Sequence, residues 1–278
     1  MGEVVWLGRY PIKSMLGEDV TDAVLDESGV VGDRRYALID EDTGLIASAK
    51  NPRKWRALLT MAARYLPADG HVTVTLPGGT VLRGDDPTLD AVLSRFLGRS
   101  VRLSHNRPDG ATMERLTPEV EASAGQLTRG RLAAGTPGHT FVDFAAVHLL
   151  TTATLNALSE AHPTRPANAE YTVDARRFRP NVVVRMFDEQ PFVENTWLGR
   201  TLSIGADASV RVVAPTPRCA VPTLAHGADL PDDPDILRTA ARLNRVPVLD
   251  LGALTCVGAY AAVAQGGRLR VGDRVTVA

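Results

Sequence analysis

Only two cysteines, Cys219 and Cys256, occur in 278 residues. They are too few for a disulfide framework and fit a reducing cytoplasm, in which a Cys219–Cys256 bridge is the less favoured state. No apolar run approaches the roughly 20 residues that span a bilayer, which argues against membrane insertion. The start, Met1-Gly2-Glu3-Val4-Val5-Trp6, lacks the charged head and apolar core of a signal peptide. Net charge is nearly absent: 31 basic and 32 acidic residues leave −1, so no overall field points to nucleic acid. His71, His105, His139, His148, His162 and His226 are scattered, without the spacing of a zinc site. Pro77-Gly78-Gly79-Thr80 has neither the lysine nor the following helix of a phosphate loop. There is no internal repeat and no low-complexity tract.

What is present is a globular composition, 44% hydrophobic and 23% charged, long enough for one large or two ordinary domains. Most of it reads as short β-prone runs between turn signals. These are residues 3–9, Val20 to Leu25, Arg34 to Asp40, Leu45 to Lys50, Leu58 to Tyr65 and His71 to Leu76. A helix is expected after Asp86 as N-cap and Pro87 at the first position, with Leu89, Val92, Leu93, Phe96 and Leu97 on one face and Gly98 closing it. Residues 106–140, rich in Gly, Pro, Ala and Thr, read as a long, partly mobile connection and the domain boundary. Beyond it come a Thr-capped helix from 152 to 161, a Pro-rich loop at 162–169, strands at 182–186, 201–204 and 209–213, a helix capped by Asp233, and an apolar strand at 256–263. The last nine residues, two Val-rich pieces around Gly272-Asp273, look like a closing barrel hairpin. The expected class is therefore mainly β with a few helices (α+β) and barrel-like, divided into 1–110 and 111–278.

Two kinds of chemistry stand out. Val212-Val213-Ala214-Pro215-Thr216-Pro217-Arg218-Cys219 runs a β-branched strand into two prolines, which should break it and mount one thiol on a rigid loop. The neighbouring Arg218 favours the thiolate, the form that attacks electrophiles and binds soft metals; a packed core thiol is the plain alternative, and Cys256 reads that way. Pairing of Cys219 with His226 as a hydrolase dyad lacks any sign of a base held in register. Separately, Lys13-Ser14, Arg34, Arg179-Pro180-Asn181 and Arg218 all fall where strands break. Lysine as point charge, arginine as fork and Ser or Asn as neutral donors are the parts of an anion site; ordinary surface charge is the competing reading.

Several motifs together resemble a known family. Tyr10-Pro11-Ile12-Lys13-Ser14 and Gly32-Asp33-Arg34-Arg35-Tyr36 are similar to the N-terminal β-barrel module that precedes a MOSC domain. Phe178-Arg179-Pro180-Asn181, Arg218-Cys219, Gly258-Ala259-Tyr260 and Val271-Gly272-Asp273 resemble the MOSC domain itself. The two-module arrangement is similar to the mitochondrial amidoxime-reducing component and its bacterial relatives. The resemblance implies a molybdenum cofactor, with its pyranopterin, ligated through Cys219 and contacted by Lys13, Ser14, Arg34, Arg179, Asn181, Arg218 and Tyr260; Asp143 lies near a further such position. It implies reduction of small N-hydroxylated substrates, independent of pyridoxal phosphate, with electrons from a separate donor such as a ferredoxin, cytochrome or flavin reductase. The membrane anchor of the mitochondrial proteins and the iron–sulfur domain of some bacterial ones are not expected here. Pro217 stands where a donor-bearing residue is expected. Two other readings stay open: a carrier or transferase with a persulfide on Cys219, and a cofactor storage protein.

Overall fold

A computed structural model describes residues 1–133, 140–164 and 172–278. Seven strands close into a barrel in the order Val147–Thr151, Val182–Met186, Gly2–Arg9, Arg274–Val277, Thr201–Ile204, Ala208–Pro217 and Ala253–Gln265, the last pairing back with the first. Only the first two run parallel, and the helix Thr152–Ala161 follows the first of them in the crossover. The barrel is filled by side chains such as Val4, Leu7, Val184, Leu202, Ile204, Val210, Val212, Ala261 and Val275, all at most 1% exposed. The β-branched and small residues of the sequence thus alternate inward, as strand geometry requires. Outside the barrel, Leu155 and Leu158 of one helix meet Ile236, Leu237 and Ala240 of the helix Asp235–Leu243, all against Val183 and Val257.

A second core lies in the N-terminal part. Ala37–Asp40 pairs with Val101–Ser104, and Ala62–Leu66, His71–Thr75 and Val81–Arg83 form a meander. The helix Leu89–Leu97 lays Leu89 and Leu93 onto Leu38, Trp55, Leu58, Met61, Val72 and Val74. Residue 110 does not separate the two cores in space, because Gly2–Arg9 hydrogen-bonds between Val182–Met186 and Arg274–Val277. The family of elements is mainly β with few helices, as the sequence implies.

The structure corrects several sequence expectations. Both prolines of the cysteine segment lie inside the strand Ala208–Pro217, which pairs with Ala253–Gln265 as far as Pro217↔Cys256. Register shifts at Val212/Ala214 and Pro215/Pro217 explain this, since an irregular ladder accommodates residues with no N–H to give. Residues 106–140 hold a hairpin, Thr112–Leu116 with Leu127–Arg131. The rest of that stretch includes 134–139, and the Pro-rich 162–169 includes 165–169, both outside the described residues. The chain end is no hairpin: Gly267–Arg270 pairs with Asp22–Asp26, while Arg274–Val277 joins the barrel. Leu45 to Lys50 contributes one isolated bridge rather than a strand. The first long helix begins at Leu89 with Thr88 as N-cap, Asp86 instead accepting from the Thr88 amide at 2.8 Å. The last helix has Pro234, not Asp233, at its N-cap. Among the described residues no helix is long and apolar enough to cross a membrane.

One buried carboxylate fixes where the strand Val147–Thr151 turns into its helix. Glu194, 2% exposed, accepts the Thr151 amide at 2.8 Å, the Thr151 hydroxyl at 2.9 Å and the Thr154 hydroxyl at 2.8 Å. Replacing it with alanine strands these donors away from water. Glu194→Ala should cost about 3 kcal/mol and lower Tm by roughly 5–10 °C. A thermal melt unchanged to within about 1 °C would show that water or rearrangement satisfies them instead.

Candidate functional site

The strand Gly2–Arg9 ends where Tyr10 turns inward, its amide held by Asp33 Oδ1 at 2.7 Å and its carbonyl by the Arg34 amide at 2.8 Å. The Tyr10 ring, 3% exposed, carries a guanidinium on either neighbour: Arg34 Cζ lies 4.5 Å and Arg179 Cζ 4.3 Å from its centroid. Arg34 Nη1 pairs with Asp33 at 2.6 Å and Nη2 donates to the Arg179 carbonyl at 3.0 Å. Arg179 Nη1 donates to the Met15 carbonyl at 2.7 Å, while its buried Nη2 has no partner among the described residues. Burial, then the like charge of Arg34, push Arg179 down to about 10. Arg34 goes up: burial works against its charge, but Asp33 outweighs it.

Ser14, Arg34 and Arg179 all have positive φ, of 66°, 43° and 55°. Such backbone is costly for residues with a Cβ and persists only where the surroundings enforce it. Here it aims three polar side chains at one place. Ser14 Oγ accepts the Ala49 amide at 3.0 Å, which leaves its hydroxyl proton free to donate.

Lys13 is 5% exposed and donates to the Phe141 carbonyl at 2.9 Å and to Asp143 Oδ1 at 2.5 Å; Lys50 meets Asp143 Oδ2 at 2.9 Å. Burial pushes Lys13 down to about 8, against the pull of Asp143. Burial would raise the Asp143 carboxyl, yet Lys13 and Lys50 together hold it well below the usual carboxylate range.

From the opposite wall come Asn181, Arg218, Cys219 and Tyr260. Asn181 Oδ1 accepts the His148 amide at 3.1 Å and Nδ2 donates to the Gly8 carbonyl at 3.3 Å, so this amide stitches three barrel strands while lining the site. Arg218 Nη2 donates to the Phe178 carbonyl at 2.8 Å, and its buried Nε has no partner. Cys219 is partly exposed, whereas Cys256 is 0% exposed and burial pushes its thiol up to about 12. Burial also raises Tyr260, keeping its hydroxyl protonated, and packs its ring against Phe144 and His148.

All eight residues singled out from sequence (Lys13, Ser14, Arg34, Arg179, Asn181, Arg218, Cys219 and Tyr260) line one narrow cleft, together with Asp143. Sequence reasoning missed Ser48, Lys50 and His148, which line it too. Lys50 sits in a segment read as a strand. His148 was set aside for want of metal spacing; burial, then Arg218, push it down to about 3, so it is a neutral ring. Five cations face the cleft against Asp143, with Asp33 behind, and the balance is positive. At Cys219 the cleft meets a wider chamber of about 490 Å³, with Lys50, Asp143, Pro217, Arg218 and Tyr260 common to both. No group of three or more His, Cys, Asp or Glu among the described residues could hold a metal by itself.

Fold and site together define a β-barrel protein with a buried, cation-lined anion cleft ending at a single accessible thiol. Residues 136–276 match the MOSC domain and residues 1–104 the MOSC N-terminal beta barrel domain, and the chain belongs to the MOSC family. It is similar to mitochondrial amidoxime reducing component 2 of Rattus norvegicus, 28% identical over 300 residues that cover 98% of this chain and 81% of that one. Similar solved structures are the YUAD protein from Bacillus subtilis and YiiM from Geobacillus stearothermophilus. The first is 12% identical with a TM-score of 0.48, covering 99% of this chain and 94% of that one. The second is 19% identical with a TM-score of 0.32, covering 48% and 54%.

The cleft should bind a simple anion in a pH-dependent way. Lys13 has a folded-state pKa of about 8, so its charge, and the affinity it supports, is present below pH 8 and lost above it. Sulfate, which does not titrate in this range, should bind up to about tenfold more weakly at pH 9 than at pH 7 in cofactor-free protein. Calorimetry should show proton uptake on binding near pH 8, and Lys13→Arg should flatten the profile. A flat profile in the unmodified protein would remove Lys13 from the anion site.

Proposed function

We propose that this chain is a molybdenum-cofactor-dependent reductase of N–O bonds in small N-hydroxylated molecules, supplied with electrons by a separate protein. MOSC domains are associated with molybdenum-cofactor binding, and the rat relative is by name an amidoxime reducing component. The observation that carries the reading is that cations far apart in sequence share one cleft with the partly exposed Cys219, and that two of their buried N–H groups, Arg179 Nη2 and Arg218 Nε, have no acceptor.

Those orphaned donors fit the group. An anionic group in the cleft would give such donors acceptors, and charge-assisted bonds of this kind are each worth about 1.5–3 kcal/mol. Lys13, Lys50, Arg34 and Arg179 would hold the anionic end of the cofactor, with Ser14 as a neutral donor. Arg218 and Asn181 would line its flank. Cys219 offers the soft sulfur that a metal already bound by dithiolene accepts. When bound, the group supplies the two-electron redox chemistry. The chain's own residues bind, orient and keep out water: Phe178, Val142 and the neutral His148 make the walls apolar between the cations. An amidoxime consumes two electrons and two protons to give an amidine and water. Tyr260, protonated and common to cleft and chamber, holds a proton at its hydroxyl there. No step needs a nucleophilic attack by Cys219 on substrate.

Protein from a cofactor-competent host should carry about one molybdenum and one pterin per chain. It should be inert with NADH alone and reduce benzamidoxime once a chemical or protein donor is added. Cys219→Ser should abolish this while keeping the fold. Cys256→Ser should keep activity per folded molecule but lose about 1–3 kcal/mol, because it puts a hydroxyl among apolar neighbours. Metal content and Tm of both variants decide the assignment. Fully folded protein that carries neither metal nor pterin, yet gains sulfur mass at Cys219 with a cysteine desulfurase and cysteine, would establish the carrier role instead.

A further inference from the structure

The wide chamber beside Cys219 has a chemistry of its own. Of its cations, Arg245 is fully engaged, with Glu121 at 2.9 Å and the Val120 and Ala253 carbonyls at 3.0 and 2.9 Å. Lys50 is held by Asp143; Arg218, which has no ion pair among the described residues, donates to the Phe178 carbonyl and is shared with the cleft. Arg115 and Arg131, on opposite strands of the hairpin Thr112–Leu116/Leu127–Arg131, line the chamber and not the cleft. Neither has an ion pair among the described residues, and Arg115 Nε is buried in the chamber wall with no hydrogen-bond partner. The charge of Arg115 is felt at the Tyr260 hydroxyl, which lines both chamber and cleft. Facing it are apolar side chains, Phe144 and Leu254, with Leu249 and Leu251 at the rim, 59% and 64% exposed. Leu249 is held there at a φ of 46°.

We propose that this chamber binds substrates that carry a carboxylate on an apolar aryl or alkyl body, with Arg115 as the specificity residue that takes the carboxylate. The proposal rests on the reductase reading only in naming the molecule as a substrate; the binding site stands on the chamber itself. The Arg115 guanidinium, without an ion pair among the described residues, offers a carboxylate charge-assisted N–H donors, a match that a neutral amide or hydroxyl does not make. Arg131, likewise without an ion pair among the described residues, adds positive charge on the same wall. The leucines and Phe144 gain from covering an apolar body, which a small inorganic anion lacks. The chamber is therefore built for an amphipathic acid, in contrast to the more strongly cationic cleft.

The test compares 4-carboxybenzamidoxime with benzamidoxime and with the uncharged 4-carbamoyl analogue, by calorimetry on the purified holoprotein. The acid should bind at least about tenfold tighter than either neutral compound, corresponding to one charge-assisted pair. Arg115→Gln should erase that difference and leave the neutral affinities within about twofold, and Arg115→Lys should restore part of it. Equal affinity for the three ligands in unmodified protein, which needs no variant to fold, would overturn the proposal. So would a preference that survives Arg115→Gln, or a variant whose only defect is a raised KM for a protein electron donor, which would make Arg115 a docking residue. The readout needs no turnover. Acid preference without molybdenum or reduction would sink the reductase reading and keep this site; reduction without acid preference would do the opposite.

Discussion

The site depends on two guanidinium groups stacked against one buried tyrosine. Arg34 and Arg179 both lie within 4.5 Å of the Tyr10 ring centroid, a proximity that like charges resist. Three features offset the repulsion. The ring face attracts both cations, Asp33 neutralises Arg34, and backbone carbonyls of Met15 and Arg179 each accept one N–H. What stays unsatisfied among the described residues is a donor of Arg179, whose pKa is depressed first by burial and then by the like charge of Arg34. A buried cation pair balanced this way is stabilised by any anion that reaches it. The left-handed backbone at both arginines makes sense in the same terms, since local strain is tolerable where the surroundings determine the geometry.

That stack also explains why the two sequence families are interleaved in space. Tyr10 and Arg34 come from the N-terminal segment and Arg179 from the C-terminal one, and the strand Gly2–Arg9 is inserted between two C-terminal strands. Asn181 ties Gly8 to His148 across the same seam, and Lys13 reaches Phe141 and Asp143. The cleft is thus walled by both segments, and neither alone would keep the cations facing one another. The barrel and the site share the first strand of the chain, Gly2–Arg9, which pairs within the barrel and leads into Tyr10.

How much of this was legible in the sequence depends on whether the signal was local. Pro11 and Pro180 lie just outside strands, and Pro217 at a strand end, and the polar residues beside them are among those that converge. The identity of Cys219 as the accessible thiol and Cys256 as the packed one also followed from local context. The proline-containing strand end was misread because a register shift is a property of two strands, and Pro215 gives no hint of its partner Ala259. The hairpin at 112–131 is hidden by its polar, Gly-containing composition; it walls the chamber with Arg115 and Arg131 while Met113 packs into a core with Ile39, Ile46 and Phe141. Lys50 and His148 were missed for a related reason. Each becomes a site residue only through a long-range neighbour, Asp143 for one and Arg218 for the other.

The division of labour between the two cavities follows from which charges are already spent. In the cleft, carboxylates neutralise some cations and leave others with open donors, and much of the wall is buried. Such a lining suits an occupant that is anionic at more than one point. In the chamber Lys50 and Arg245 are ion-paired while Arg115 and Arg131 have no ion pair among the described residues, and the wall includes leucine, phenylalanine and proline, with Leu249 and Leu251 exposed. Such a surface suits a molecule that exchanges with solvent. Cys219 and Tyr260 stand at the boundary, so a group fixed in the cleft and a molecule passing through the chamber can meet only there. A resident cofactor and a changing substrate need this arrangement, with rigid charge complementarity on one side of the thiol and a more open, selective surface on the other.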